Sequence, residues 1–173
     1  MKLLAPLASL LFFVSCSGLS TNFDYDVEAD FSNLSSYAWL EGGEAAGLSD
    51  LDRKRAKAAV DDGLQAAGYE LVESNPDFEV AVHFTTEEKT RVREYGTAYG
   101  YRSVGLSARS FDVDEYQVGT FMLDFVDPAK KELMWRGAAS GTVRESPSPE
   151  ERTKRIREAV AALLENFPPG SDS

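Results

Sequence analysis

Residues able to carry out catalysis are scattered along this chain and form few patterns. His83 is the single histidine, and it alternates with Val82 and Phe84 in a strand-like stretch. We therefore expect an exposed or hydrogen-bonded surface histidine rather than a general base. No Gly-x-Ser-x-Gly turn presents a nucleophilic serine, and with 29 acidic residues no carboxylate pair stands out. The sequence identifies no catalytic residue.

Metal and cofactor sites have no better support. One cysteine and one histidine cannot build a Cys/His zinc site of ordinary ligand count. Alternate acidic positions superficially resemble calcium-loop ligands: Asp24, Asp26, Glu28 and Asp30. Counted from Asp24, the sixth and twelfth positions hold Ala29 and Ser35, where such a loop needs Gly and Glu. We therefore expect these acids to form a solvated face of a strand, with no metal. Phosphate-binding glycine motifs are also missing, so we expect no cofactor.

One segment between residues 95 and 110 combines residue types suited to molecular contact. Its tyrosines and arginines, interspersed with glycines, are Tyr95, Tyr99, Tyr101, Arg102 and Arg109. Tyrosine supplies contact area with a polar tip, and glycine supplies conformational freedom, as in recognition loops. The alternative is an ordinary hairpin connection, because loops are commonly variable and rich in glycine. We take these five residues as the candidate binding loop.

The N-terminus has the pattern of an export signal. Lys2 precedes an uncharged stretch of twelve residues from Leu3 to Val14, shorter than the roughly 20 that a membrane-spanning helix needs. The stretch ends at Ser15-Cys16, which resembles the bacterial lipoprotein signal: cleavage after Ser15 leaves Cys16 to carry acyl chains such as palmitate. The alternative is an ordinary signal peptide with an incidental cysteine. Ser17, where inner-membrane lipoproteins carry Asp, implies the outer membrane, facing the periplasm.

Composition excludes several classes of protein. The chain has 173 residues and a formal net charge of −11. An acidic chain lacks the electrostatic footprint of nucleic-acid binding, and its net charge gives no attraction to anionic lipid headgroups. A single cysteine excludes an internal disulfide framework. With 43% hydrophobic residues, the composition is that of an ordinary globular protein.

The mature chain is predicted to form one domain. We expect a signal peptide over 1–15, a lipidated tether over 16–22, a domain over 23–169 and a disordered tail over 170–173. Period-two alternation predicts strands over 23–31 and 78–84, and a hairpin of 116–125 with 132–144. A short strand is expected over 37–40.

Two helices are predicted from capping signals and apolar spacing. Ser49 caps the first, over 50–67, and Ser148 caps the second, which begins at Pro149. One-sided helices and one-sided strands together predict an α+β two-layer sandwich, with two helices on one face of a mostly antiparallel sheet of about five to six strands. Within it we expect Trp39, Trp135 and Phe121 in the core.

Several short pieces, in this order, resemble a known family of bacterial lipoproteins. They are Asp30-Phe31-Ser32-Asn33-Leu34-Ser35-Ser36-Tyr37-Ala38-Trp39-Leu40, Leu64 to Tyr69, Asn75 to Val80, Gly119 to Phe121, Leu133 to Gly137, and Asn166 to Pro169. Together with the export signal they are similar to the domain-of-unknown-function 4136 family. The resemblance implies an envelope location and an α+β fold, with no activity and no catalytic residues. Arg136 lies in one of these pieces, and we interpret it as one half of a structural ion pair with an acid on a neighbouring strand.

Three functions follow as hypotheses. The first is a non-enzymatic envelope protein, anchored in the membrane through Cys16, that binds a protein, peptidoglycan or lipid partner. The second is a carrier of a small ligand or lipid in a pocket between helices and sheet. The third is a hydrolase that uses carboxylates. Partner identity and oligomeric state stay open.

Overall fold

Six strands and two helices make up the computed structural model, which describes residues 18–43, 47–95 and 110–170. The strands are β1 (Ser20–Tyr25), β2 (Ser36–Trp39), β3 (Glu70–Leu71), β4 (Phe78–Tyr95), β5 (Ser110–Val126) and β6 (Leu133–Thr142); the helices are α1 (Asp50–Ala66) and α2 (Pro149–Leu164). The strands form one sheet in the order β1-β6-β5-β4-β2-β3. The pairs β1–β6, β6–β5 and β5–β4 are antiparallel, whereas β2 pairs in parallel with both β3 and β4. The predicted α+β fold is confirmed.

Both helices begin where the sequence predicts. The Ser49 side chain accepts a hydrogen bond from the backbone N–H of Asp52, which satisfies one of the free donors at the start of α1. Ser148 and Glu151 form a reciprocal capping box at the start of α2. Gly68 follows α1 with φ of +96°, a backbone conformation that favours glycine and ends the helix.

Aromatic side chains fill the layer between the helices and the sheet. Phe125 lies at its centre, with its ring centroid 4.4 Å from that of Phe167, 4.8 Å from Phe78 and 5.0 Å from Trp135. All of these except Phe167 are fully buried, and Phe167 is 6% exposed. Phe121 is also buried, as predicted. This layer leaves the carrier hypothesis without support from the described residues.

Trp39 differs from the other predicted core aromatics. It is only partly buried, and its indole N–H donates to Asp61 Oδ1 at 2.9 Å. The buried Tyr37 hydroxyl donates to the same oxygen at 3.0 Å, while Lys57 Nζ lies 4.0 Å from the centroid of the Trp39 ring. Burial raises the pKa of Tyr37 to about 12, so its hydroxyl stays protonated and remains a donor. The cluster attaches α1 to β2.

The first strand is shorter and more exposed than predicted. Alternation suggested a half-buried strand over 23–31, but β1 ends at Tyr25, and it begins at Ser20, within the segment predicted as a tether. Asp26 and Asp30 accept hydrogen bonds from the backbone N–H groups two residues later, which stabilises turns. The short polar side chains therefore end the strand despite the continuing alternation.

The fourth and fifth strands are longer than predicted. Alternation suggested a strand over 78–84, yet β4 continues to Tyr95, and β5 already begins at Ser110. The two strands pair along their whole length, from Glu79 opposite Val126 to Tyr95 opposite Ser110. The β5–β6 hairpin was predicted at 116–125 with 132–144, and β6 extends only over 133–142.

Candidate functional site

Most residues of the predicted sites lie outside the described parts of the chain. This holds for Ser15 and Cys16 and for four members of the candidate binding loop: Tyr99, Tyr101, Arg102 and Arg109. Tyr95 is the last residue of β4, and its backbone pairs with Ser110 of β5. The candidate loop therefore joins two long paired strands.

These two strands extend beyond the rest of the sheet. On the β5 side, β6 ends at Thr142, opposite Val118. On the β4 side, the last described neighbour is Gly47, where an added Cβ would collide with the carbonyl oxygen of Phe84. We call residues 86–95 and 110–117 the β4–β5 ribbon. Apart from one contact at its base, where Gln117 accepts from Val143 N–H, the ribbon has no neighbouring strand among the described residues.

At each edge of the ribbon, the residues that direct their backbone N–H and C=O groups outward can be identified. The β4 residues that bond outward at the base are even-numbered: Val80 C=O accepts from Leu40 N–H, and Val82 N–H donates to Gly43 C=O. Because strand residues alternate in direction, Glu88, Thr90 and Val92 direct their N–H and C=O groups away from β5. Gln117 C=O bonds outward from β5, so Val113 directs its groups away from β4 by the same argument. Both edges thus present backbone groups that a further strand or water could bind.

The described side chains of the ribbon are mostly polar, with one apolar pair. Val92 and Val113 stand directly opposite each other and are 61% and 56% exposed. They continue the side of the sheet that, nearer the base, packs under the helices. Arg91 lies over the Tyr116 ring, with its guanidinium carbon 4.9 Å from the ring centroid. Lys89 Nζ is 3.4 Å from a Glu87 carboxylate oxygen.

The sheet face opposite the helices carries a charged cluster that the sequence only partly suggested. Arg136 Nε and Nη2 donate to the two oxygens of Asp124 at 2.6 and 2.5 Å. His83 Nε2 lies 3.4 Å from the same carboxylate, whose side chain is 5% exposed. The bond to Asp124 raises the pKa of the Arg136 guanidinium. The predicted structural ion pair of Arg136 is confirmed.

The described geometry of this cluster is that of an ion pair within the sheet. His83 lies beside a buried carboxylate, but Arg136 already occupies both carboxylate oxygens. No serine, threonine or cysteine is hydrogen-bonded to His83 in the described residues. The sequence alone does not distinguish Asp124 from the other acids, because only its register opposite Arg136 sets it apart.

The remaining candidates also lack the geometry of a site. Among residues 18–43, 47–95 and 110–170, no group of three or more His, Cys, Asp or Glu residues could hold a metal ion. A shallow depression of about 450 Å³ lies on the outer surface of α2, lined by residues between Pro149 and Glu158. This depression is open to solvent, most of its lining residues are charged, and it lies outside the helix–sheet layer.

Together, the sheet, the two helices on one face and the projecting ribbon define a two-layer α+β domain. A family model described as "Domain of unknown function (DUF4136)" matches residues 21–169, and the chain belongs to that family. No functionally curated protein matches the sequence. In the described part of the chain, no helix is long and apolar enough to cross a membrane.

Solved structures share the fold at low sequence identity. The chain is similar to a PDZ domain protein from Parabacteroides distasonis, with 13% identity and a TM-score of 0.53 over 87% of this chain and 35% of that one. It therefore spans about a third of that protein, and the likeness shows the fold alone.

Two further likenesses are weaker. The PelC dodecamer from Paraburkholderia phytofirmans has 9% identity and a TM-score of 0.48, over 84% and 94% of the two chains. A minor lipoprotein from Acinetobacter baumannii has 10% identity and a TM-score of 0.31, over 76% and 87%. Neither likeness carries an argument about function.

Proposed function

We propose that this protein is a lipid-anchored envelope protein that binds an envelope partner and has no enzymatic activity. Cys16 carries the lipid, and the protein is held at the outer membrane, facing the periplasm. The partner is a protein, peptidoglycan or lipid, and the β4–β5 ribbon is the binding element. The observation that carries this proposal is the projection of the ribbon beyond every other described strand.

The exposed strand edges of the ribbon support a binding role for it. Native sheets usually shorten, cover or bend an exposed edge, because unpaired backbone groups attract other chains. Here two strands continue in regular pairing with no register shift from Glu79 to Tyr95, and they carry an exposed valine pair. A two-stranded ribbon is only marginally stable by itself, so its length gives the domain little stability. Binding to a partner explains the length of the ribbon better than a contribution to folding stability does.

The anchor is tested by replacing the proposed lipid attachment residue. Cys16→Ser is expected to move the protein from the membrane fraction to the soluble periplasmic fraction, because acyl chains supply the membrane affinity. Ser17→Ala serves as the matched control and should leave the protein in the membrane fraction. Tight membrane association of Cys16→Ser would refute the anchor.

The binding role of the ribbon is tested by photo-crosslinking in cells. A benzoylphenylalanine residue is placed at Val92 on the ribbon or, as a control, at the exposed Ala129 in the β5–β6 turn. We expect discrete crosslinked products from position 92 and none from position 129. Products from position 129 alone would exclude the ribbon as the binding element.

A further inference from the structure

The two strands of the ribbon differ in charge. The β4 half carries three acids and three bases, whereas the β5 half carries three acids and no base. Along β4, the acids Glu87 and Glu88 come before the bases, which begin at Lys89. A second β5 edge would therefore meet like charges at the β5 edge, which destabilises strand pairing. A second β4 edge would meet charges of both signs.

The described sheet limits how a second ribbon can approach. At the base of the ribbon, β2 lies beside β4 and β6 lies beside β5. A copy whose ribbon pointed the same way would place its own sheet in the space that these strands occupy. A copy that points the opposite way brings its ribbon alongside without this overlap. Two β4 edges then pair antiparallel, about a two-fold axis.

One register of this pairing brings opposite charges together. With Lys89 of one copy opposite Lys89 of the other, Glu87 of each copy stands opposite Arg91 of the other. Within its own ribbon, Arg91 already stands opposite Asp114, so each Arg91 would lie between two acidic positions. All four residues are exposed. Over the two ribbons, the charges of Lys89 and Arg91 balance those of Glu87 and Asp114.

The backbone groups match in the same register. Glu88, Thr90 and Val92 direct their N–H and C=O groups away from β5, and by the same alternation so does Thr86. Glu88 then stands opposite Thr90, and Thr86 opposite Val92, in both copies. Each such pair exchanges two hydrogen bonds, about eight in all. The paired stretch ends before the level at which Gly47 borders β4.

The two Lys89 side chains meet at the axis, and this is a like-charged contact. Lysine on an exposed edge normally discourages strand addition. Here Lys89 Nζ lies 3.4 Å from a carboxylate oxygen of Glu87 in the same strand, so each ammonium has a counter-charge beside it. Neighbouring registers are less favourable. An axis at residue 90 places Lys89 opposite Arg91 twice, and an axis at residue 88 places Glu88 opposite Glu88 and shortens the paired stretch.

We infer that the partner of the ribbon is a second copy of this chain, paired antiparallel through the β4 edge with Lys89 at the two-fold axis. This inference rests on the proposed binding role of the ribbon and names its partner. Pairing over residues 86–92 joins the sheets of two copies by strand addition. Its small area is typical of a weak or transient contact, so covalent trapping is the suitable measurement.

Disulfide trapping of single-cysteine variants tests the register. Lys89→Cys, Glu87→Cys and Arg91→Cys are each made in the full chain and oxidised in membranes isolated from the producing cells. Residue 89 faces its own copy in a pair without hydrogen bonds, whose Cα atoms are about 4.5 Å apart, within disulfide range. Residues 87 and 91 are each displaced from their own copy by four residues, or about 14 Å. We expect at least about tenfold more dimer from Lys89→Cys.

Two co-produced copies with different tags sharpen this test. A copy with Glu87→Cys should crosslink to a copy with Arg91→Cys, although neither forms dimers efficiently by itself. Val113→Cys is the matched control on the β5 edge, since Val113 is also exposed, and it should give no dimer. Dimers mainly from Val113→Cys, or in equal amounts from all positions, would overturn the inference.

Charge reversal tests the ion pairs between copies. In the Lys89→Cys background, Arg91→Glu should lower the dimer yield about fivefold, because an acid then stands opposite Glu87 in both pairs. Lys130→Glu makes the same change in the β5–β6 turn and should leave the yield unchanged. Adding Glu87→Arg to Arg91→Glu restores opposite charges between copies but not opposite Asp114 within the ribbon. We expect the yield to recover, and failure to recover would overturn the proposed register.

The outcomes separate this inference from the proposed function. The chain without an added cysteine should form no dimer, because lipid blocks Cys16, its only cysteine; dimers through Cys16 would refute the anchor. If no added cysteine gives a dimer while benzoylphenylalanine at Val92 crosslinks to a different protein, the binding role stands and the second copy is refuted as the partner. If neither method traps a partner at the ribbon, the binding role and this inference both fail.

Discussion

The same strand behaves in two different ways along its length. In the first part of β4, Phe78, Val80 and Val82 are fully buried under the helices, whereas Val92 on the same side is 61% exposed. What differs is the cover: aromatic side chains and two helices lie over one part, and no described element lies over the other. We therefore expect stability to reside in the covered body, with the ribbon available for the proposed binding. Substitutions in the two regions should separate stability from partner binding.

The largest effect is expected at the centre of the body. Phe125→Ala removes a fully buried ring with three aromatic neighbours and leaves a cavity, which should lower the free energy of unfolding by about 3–5 kcal/mol. Urea denaturation followed by circular dichroism measures the change. Val113→Ala on the ribbon is the control, with an expected change of less than about 0.5 kcal/mol. Equal losses would contradict the division between body and ribbon.

Removing the buried carboxylate of the charged cluster should have the next largest effect. Asp124→Ala leaves Arg136 without its two charge-assisted hydrogen bonds, at a cost on the order of 2 kcal/mol, since Arg136 itself is partly solvated. Asp24→Ala is the matched control, because Asp24 stands opposite Arg136 on β1 but is exposed. If both variants unfold at the same urea concentration, the pair does not stabilise the sheet.

A smaller and pH-dependent effect is expected at Asp77. Its carboxylate accepts hydrogen bonds from the backbone and hydroxyl groups of Ser35 and Ser36, which lower the pKa of Asp77. Because the pKa of Asp77 is lower in the folded state, the ionised carboxylate stabilises the fold at pH values above the unfolded pKa of about 3.9. This stabilisation is lost as the pH falls through the folded-state pKa. Asp77→Asn should therefore be less stable than the natural protein at neutral pH. The difference should shrink below about pH 4.

Urea denaturation at neutral pH and below about pH 4 measures the difference in the free energy of unfolding between Asp77→Asn and the natural protein. Comparing two chains that differ only at Asp77 removes the contributions of Asp30 and Asp127, whose pKa values are also lowered by hydrogen bonds. A difference that stays constant down to acidic pH would mean that the charge of Asp77 is not what stabilises the contact.

The smallest effect on stability is expected on the ribbon. Val92→Lys changes a side chain with few neighbours, so the free energy of unfolding should change by less than about 0.5 kcal/mol. Thermal unfolding followed by circular dichroism checks this. A loss comparable to that of Asp124→Ala would show that the ribbon is part of the folded body.

The body was largely predictable from local sequence, since Ser148-Pro149 with Glu151 specifies a helix start without tertiary information. Alternation of apolar and polar residues likewise located the covered part of β4. The β4 half of the ribbon was missed because Thr85 to Arg91 contains no apolar alternation, and its strand conformation depends on pairing with β5. The length of β1 was wrong because Asp26 and Asp30 form turns within an alternating pattern.

Predicting the charged cluster would have required the register of three strands. His83, Asp124 and Arg136 are distant in sequence and meet only because β4, β5 and β6 are adjacent. Composition gave the net charge but not its distribution in space.

Hydrogen–deuterium exchange of the lipidated protein tests the account most directly. The full chain is compared after purification in detergent and in membranes isolated from the cells that produce it, with peptides covering residues 86–92, 113–117 and 127–132. The account predicts slower exchange of the two ribbon peptides in the isolated membranes, because the partner covers outward-facing amides such as those of Thr90 and Val92, and no change at 127–132. Slower exchange at 127–132, with the ribbon unchanged, would contradict it.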